Sequence, residues 1–475
     1  MALQLAWILA VIPYFGIDEF DHAFRASSVA DGHWHATHRL PPEGTGRGDL
    51  IRVREDVARS AEPACNYRPY TGLYNCYPKS NPSGKEVVIS SGAARYNPTF
   101  YWVVGSIAKP FHGNAALYAM RIASAMLCTL VFVLAVWLLT GLSRSIWPTT
   151  AGLLAALPTT VYSSTVAAPN GLNMMAGLAV WASLLALREE PIRRAGYVGL
   201  AVSSAVLLNT HTLGTVWFGL ILVTVALLTG PRQLVRTLVP RGRTEIVALV
   251  MALAAAAFDI WWILTSGVND PGQERSTFHG APWSFIAQGL VLWPFQAMGA
   301  FPMRNDNAPL ALYATATVAL VLVSALAIQR IRLRSRTTAA LLFVAGTSFL
   351  VPAYLTAATF HQIGAAWQGR YQVPFSIGLI VMIGSILDRS ARPVRFGLMT
   401  ASLAVAAMAM IQPIGQLNVV GDERGYDSLV AATGWSAPSA VLLLSIGLLA
   451  AVCWVASVRS SRGLESAEGE PGGNG

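Results

Sequence analysis

The stretch GIDEFDHAFRASSVADGHWH, residues 16–35, places Asp18, Glu19, Asp21, His22 and Arg25 within eight positions. Carboxylates, an imidazole and a guanidinium so close together can move a proton and hold an anion. The segment after Asp18 has no helix breaker before Gly32, which predicts a helix over about 19–30. On that helix Asp18, His22 and Arg25 form one stripe with Asp21 beside them, while Glu19 lies about 100° round. Phe20 and Phe24 form a separate apolar stripe. A second reading makes Asp18 an N-cap and Asp21 an acid near the positive helix end. That reading leaves Glu19, His22 and Arg25 without a purpose.

Other polar residues fall at the same level. In RYNPTFYW, 95–102, Pro98 opens an interfacial helix beside Tyr96 and Tyr101. Arg121 lies a full turn inside an apolar run, where a central arginine costs about 2.5–3.5 kcal/mol on insertion scales and faces a partner or a wet cavity. WQGRYQVP, 367–374, puts Arg370 and Tyr371 at the end of another run. Arg370 is either a phosphate ligand or a residue snorkelling to the interface. Asp259, the acid well inside a run, is a proton or substrate group or else the partner of Arg121. Asn170 and Asn173 open a further run. Tyr67, Tyr70, Tyr74 and Tyr77 could stack on sugar rings, although interface belts are rich in tyrosine. His211 reads as a polar turn residue. Asp18, Asp21 and His22, with Glu19, are also of the types that hold Mg²⁺ or Mn²⁺.

The elements that position these residues are membrane spans. The chain is 54% apolar and 12% charged, about half the usual charged share of a soluble domain. Twelve apolar runs are candidates to cross a bilayer: 2–17, 115–140, 146–166, 171–187, 195–210, 213–229, 245–266, 308–328, 338–358, 371–387, 396–412 and 438–457. The first is barely long enough. The fold class expected is an all-α polytopic membrane protein of about 12 helices, a single domain over 1–458 with a large first extracytoplasmic loop at 18–97. That loop is too small and polar for a core of its own and is expected to pack onto the helices. Residues 98–111 and 285–303 read as re-entrant or interfacial, because crossing would break the parity of the spans.

The net charge of +9 maps onto alternate loops. Arg144, the arginines of 188–194, 232–243, 330–336 and 389–395, and Arg459 and Arg462 outnumber the acids there, which places those loops in the cytoplasm. The charge therefore reports topology and not a nucleic-acid partner. Cys65 and Cys76 fall in the first outer loop, where a disulfide can persist. Cys128 and Cys453 lie inside runs. No basic n-region or cleavage site marks a signal peptide, and 459–475 reads as a disordered cytoplasmic tail. Walker loops, dinucleotide fingerprints, HExxH and paired CxxC are missing, so ATP-driven transport by this chain alone is not expected.

Together these stretches resemble a bacterial polytopic membrane family known as domain of unknown function 2142. GIDEFDHAFRASSVADGHW resembles its P-D-E-x-x-H-x-x-R opening, ARYNPTFYW its H-P-P-x-x-Y element, ALYAMRIAS its tyrosine–arginine helix, and WQGRYQVP its Q-G-R-Y segment. Ile17, Asn97 and Asn170 depart from the pattern. That family is similar in turn to the C-type (GT-C) glycosyltransferases. The resemblance implies an enzyme of the bacterial cell envelope using a polyprenyl-phosphate sugar donor and a glycan, lipid or protein acceptor, in the plasma membrane with its site facing outside. Asp18 and Glu19 would occupy the acidic-pair position, and Arg370, with Arg121, would meet the lipid phosphate. His22, Arg25, Tyr96, Tyr101, Asn170, Asp259 and Tyr371 would line the site. No cofactor is required, though some C-type enzymes use Mg²⁺ or Mn²⁺. The competing expectations are a lipid-linked glycan flippase, with Asp18, Asp259 and Arg121 as a charge relay, and a non-catalytic envelope-assembly protein.

Overall fold

The computed structural model describes the chain apart from residues 38, 42–47, 68–72, 77–78, 81–84, 143–144, 269–279, 304–305, 332–334, 365, 391–395 and 468–475. Arg144, Arg332, Arg334, Arg392 and Arg395 lie outside the described residues. The architecture is helical. Among the described residues seven helices are long and apolar enough to cross a membrane: Gly113–Gly141, Arg243–Thr265, Leu310–Ile328, Arg336–His361, Gly369–Asp388, Gly397–Glu423 and Ala440–Ser461. Gly214–Thr229 and Pro231–Leu238, bent by 114°, make an eighth if taken as one span.

Twelve spans were expected, and the shortfall has local causes. The first helix covers only Ala2–Ala10, because Pro13 disfavours helical backbone at Ile12 and removes a donor. Pro158 splits the 146–166 run into Trp147–Leu154 and Pro158–Ser163. Asn170–Ala186 reaches 17 residues and is buried throughout, inside the protein and away from lipid. The last helix, Ala440–Ala467, continues past the expected start of a disordered tail at 459. No proline interrupts SVRSSRGLESA. Residues 98–111 contain the helix Pro98–Ala108, and 285–303 overlap the helix Trp283–Gly299.

The first loop holds more regular structure than expected. After the helix Glu19–Ala30 come strand β1 (Asp49–Arg54), the helix Glu55–Asn66, and strands β2 (Lys79–Ser80) and β3 (Glu86–Ser91). They form an antiparallel sheet of order β1-β3-β2, with Ile51 opposite Ile89 and Val53 opposite Val87. Those four side chains and Val57, Ala58 and Ala61 are buried. Runs of six residues or fewer, with arginines between the apolar positions of β1, hid the strands. Cys65 and Cys76 form a disulfide with Cα atoms 5.4 Å apart. Asp56 ties this cap to the membrane helices. It accepts from Arg54 Nη2 at 2.6 Å and from the Gly113 N–H at 3.0 Å. Partial burial pushes the Asp56 carboxyl up, but the Gly113 N–H and the Arg54 guanidinium outweigh it and leave it below the ordinary carboxylate value.

Candidate active site

Between the first two helices the chain turns through residues 11–18, and Asp18 takes a left-handed conformation, φ 53°. Asp tolerates that region better than most residues. Although Asp18 stands where an N-cap would, its side chain makes no capping bond. Instead Oδ2 accepts from Arg370 Nη2 at 3.2 Å. The Asp18 side chain is 25% exposed, against 7% for that of Arg370. Just before it, the Ile17 N–H donates to the Tyr162 hydroxyl at 3.3 Å, and Tyr162 donates to the Pro302 carbonyl at 3.0 Å. Tyr162 thereby sets the backbone that presents Asp18.

Arg370 comes from a short 3₁₀ turn, Gly369–Gln372, pressed against the helix Trp283–Gly299. The Gly369 N–H donates to Gln296 Oε1 at 2.8 Å. A Cβ at Gly369 would lie 2.0 Å from the Trp293 carbonyl oxygen, so only glycine fits. Within six residues four buried polar atoms have no partner among the described residues: Trp367 Nε1, Gln368 Oε1, Arg370 Nε and Gln372 Oε1. Buried polar groups are rarely left so, and together they offer donors and acceptors to a polar ligand. The aromatic wall is continuous. The Arg370 guanidinium lies 5.3 Å from the Tyr371 ring, which meets His211 at 5.3 Å and Trp367 at 5.8 Å. Trp367 meets Trp217 at 6.3 Å. Burial, helped by the Arg370 charge, pushes the His211 imidazole down to about 4. Its Nδ1 accepts from the Leu213 N–H at 3.1 Å, as a neutral ring can.

Glu19 and Arg121 are elsewhere occupied, with each other. Arg121 Nε donates to Glu19 Oε1 at 2.8 Å and Nη2 to Oε2 at 2.6 Å, with both side chains buried. The remaining Arg121 donors go to the carbonyls of Ile8, Val11 and Ile12 at 2.8–3.1 Å. Ile8 lies in the last turn of the first helix, and Val11 and Ile12 follow directly after it. Glu19 also accepts from the Gly16 and Ala167 N–H groups. The expectation that Arg121 meets a lipid phosphate is therefore corrected: its N–H groups are spent closing a helix end. Glu19 is fully buried in this ion pair, away from solvent. Asp259 is not the partner of Arg121 either. It accepts from Thr215 Oγ1 at 2.9 Å.

The rest of the expected stripe forms a second, interior cluster. Asp21 Oδ1 accepts from the Gly92 N–H at 2.8 Å. His22 Nδ1 pairs with the Tyr101 hydroxyl at 2.7 Å, with the two rings stacked. Arg25 donates to the carbonyls of Trp34 and Tyr96 at 2.6 and 3.0 Å and lies about 6 Å from the Tyr101 and Trp262 rings. Burial pulls the Arg25 guanidinium down to about 10 and pushes the Tyr101 hydroxyl well up. Gly105 lets the helices Glu19–Ala30 and Pro98–Ala108 meet, since a Cβ there would lie 2.1 Å from the Ala26 carbonyl oxygen. These residues hold the presenting helix. Asn170 is buried at the start of its helix, and Asn173 donates to Leu207 and Thr210. Tyr67 pairs with the Ser428 hydroxyl. Tyr70, Tyr77 and the Tyr74 side chain lie outside the described residues.

A metal does not fit the expected residues. Asp18 faces Arg370, Asp21 the Gly92 amide, His22 Tyr101 and Glu19 Arg121. Among the described residues no group of three or more His, Cys, Asp or Glu side chains converges.

The family model described as predicted membrane protein (DUF2142) matches residues 1–379. No curated protein matches the chain. Solved structures similar to it include apo ArnT from Cupriavidus metallidurans, at 16% identity and TM-score 0.47 over 98% of this chain and 77% of that one. ArnT bound to undecaprenyl phosphate gives 14% and 0.45 with the same coverage. The Archaeoglobus fulgidus oligosaccharyltransferase gives 12% and 0.35 over 98% of this chain and 55% of that one. With TM-scores below 0.5, we assign no residue and no activity from them.

Proposed function

The chain belongs to the DUF2142 family of predicted membrane proteins, and we propose that it transfers a sugar from a polyprenyl-phosphate donor to a hydrophilic acceptor outside the plasma membrane. The observation that carries this reading is the Asp18–Arg370 pair, a partly exposed carboxylate against a buried guanidinium with an unpartnered Nε. Sugar transfer from a lipid phosphate needs a base for the acceptor hydroxyl and a cation for the departing phosphate. Those two needs meet in this pair.

In the reaction the donor phosphate takes the Arg370 donors and frees the Asp18 carboxylate. Asp18 accepts the acceptor's hydroxyl proton as that oxygen attacks the anomeric carbon. The bond from that carbon to the phosphate oxygen breaks, and polyprenyl phosphate leaves with the electron pair, held by Arg370. A base in place contributes typically about 10²–10⁴-fold. One displacement inverts the anomeric configuration. The donor arrives activated in the lipid, so no nucleotide site is needed. The arginine-rich loops at the other helix ends support an outward-facing site by the positive-inside rule. The saturated Arg121 weakens the rival reading of a flippase relay through Asp18, Asp259 and Arg121.

The test is the envelope glycan of a deletion strain and its complement, with the linkage of the lost sugar determined by NMR. The proposal expects a specific sugar to be missing, and expects its anomeric configuration to be opposite to that of the donor. An unaltered glycan would refute transfer, and a retained configuration would refute the single displacement.

A further inference from the structure

Three helices leave the candidate active site and end together at a second polar feature. Asn170–Ala186 ends two residues before Arg188. Gly214–Thr229 starts just after His211, and the span Gly369–Asp388 carries Arg370 at one end and Arg389 just past the other. At 1.5 Å per residue a 20-residue span separates those ends by roughly 30 Å.

At the far ends lies a cleft of about 410 Å³ lined by Arg188, Glu189, Thr229, Gln233 and Arg389. It holds two guanidiniums and one carboxylate. Glu189 Oε1 accepts from Arg389 Nη2 at 3.3 Å. The half-buried Arg188 guanidinium makes no hydrogen bond among the described residues, and burial and the Arg389 charge push its pKa down against the opposing pull of the Glu189 charge. Arg336 adds a cation at the rim by donating to the Thr229 carbonyl at 3.0 Å. A partly buried, unmatched guanidinium facing a second one is a site for an anion.

The helix Pro231–Leu238 says which anion. It turns 114° from the helix before it, so it does not continue the span. Arg232, Gln233 and Arg236 are exposed along it, as is Val235 at 63%. A short basic helix with an exposed valine at the end of a span is suited to the interface, with its cations at headgroup level while Leu234 and Leu238 pack against the protein. Gln233 on this helix lines the cleft.

We infer that this cleft binds the phosphate of an anionic phospholipid headgroup, with Arg188 and Arg389 as ligands and Pro231–Leu238 lying along the cytoplasmic membrane surface. Basic pockets between helices on that side suit such headgroups. The site is independent of the transfer chemistry at Asp18 and anchors the helix ends that lead to it.

Native mass spectrometry of the full-length protein in detergent tests this, with phosphatidylglycerol, phosphatidylcholine and inorganic phosphate as separate probes. Wild type is expected to retain phosphatidylglycerol in preference to phosphatidylcholine. Arg188→Gln removes a side chain that bonds to no described residue, and Gln233→Glu adds a charge at an exposed position, so both are expected to fold. Each should lower phosphatidylglycerol retention about tenfold. Equal retention of the two lipids by wild type, or unchanged retention in both variants, would overturn the proposal. Displacement of the lipid by millimolar inorganic phosphate would assign the cleft to a free anion and overturn the lipid source.

Discussion

Asp18 Oδ2 and Arg370 Nη2 meet at 3.2 Å across 352 positions of sequence. The contact joins the turn after the first helix to the turn that opens a late span. Neighbouring Glu19 points away from it into a closed ion pair with Arg121. Two adjacent acids thus have different work, one partly exposed and one sealed. Arg370→Lys keeps the charge but loses the planar fork. Sugar transfer measured on membranes should fall about tenfold or more at an unchanged protein level. Full activity in that variant would show that a point charge suffices.

Glu19→Gln should act on stability. Removing one partner of a buried pair leaves the other charge uncompensated, at a cost of about 3–5 kcal/mol. Detergent-solubilised Glu19→Gln is expected to melt well below wild type, with the double change Glu19→Gln, Arg121→Met recovering part of the loss. A variant as stable as wild type but inactive would return Glu19 to the reaction.

Gly369→Ala should displace Arg370. The added methyl meets the Trp293 carbonyl oxygen at 2.0 Å, so the 3₁₀ turn must shift. Loss of transfer should exceed loss of thermal stability, because the turn is short and the spans persist. A fully active variant would show that the turn yields without moving the guanidinium.

The Cys65–Cys76 disulfide closes a loop with a sequence separation of 11, worth about 2–3 kcal/mol in the chain-entropy account. Limited proteolysis of a Cys65→Ser, Cys76→Ser variant should cut first within the cap, at residues 49–91. Cleavage at the wild-type rate would mean the sheet and Asp56 hold the cap unaided.

His211 gives a pH dependence. Its folded value of about 4 lies below the free imidazole value near 6.5, so between those values the unfolded chain binds more protons. The stability it contributes is complete above about pH 6.5 and is lost as pH falls toward 4. The melting temperature of wild type should drop more between pH 7.5 and 5 than that of His211→Gln. Equal drops would show that the imidazole is already protonated in the folded protein.

The helix Glu19–Ala30, the long spans and the motif around Arg370 were legible because apolar periodicity and helix breakers act locally. The partner of Arg121 was not. Its choice between Glu19 and Asp259 depends on where the first helix stops, because Arg121 also donates to the carbonyls of Ile8, Val11 and Ile12 at and just past that end. The stripe of Asp18, His22 and Arg25 was expected to share one site, and the structure gives them separate partners. Tyr101 and the Trp34 and Tyr96 carbonyls draw His22 and Arg25 inward, while the left-handed backbone of Asp18 takes it off the helix. Tyr162, Gln296 and Trp217 were missed because each reaches the site through tertiary packing alone. Gln368 and Gln372 were in view on either side of Arg370, but only burial shows their oxygens unpartnered.

The most direct measurement is mass spectrometry of the envelope glycan in a deletion strain expressing wild type or Asp18→Asn, with membrane levels matched by blot. Asp18→Asn keeps the size of the side chain and can still accept from Arg370, so the fold should stand. The account predicts that this strain lacks the same sugar as the deletion. A wild-type glycan from Asp18→Asn would contradict it and leave Asp18 as part of a structural ion pair.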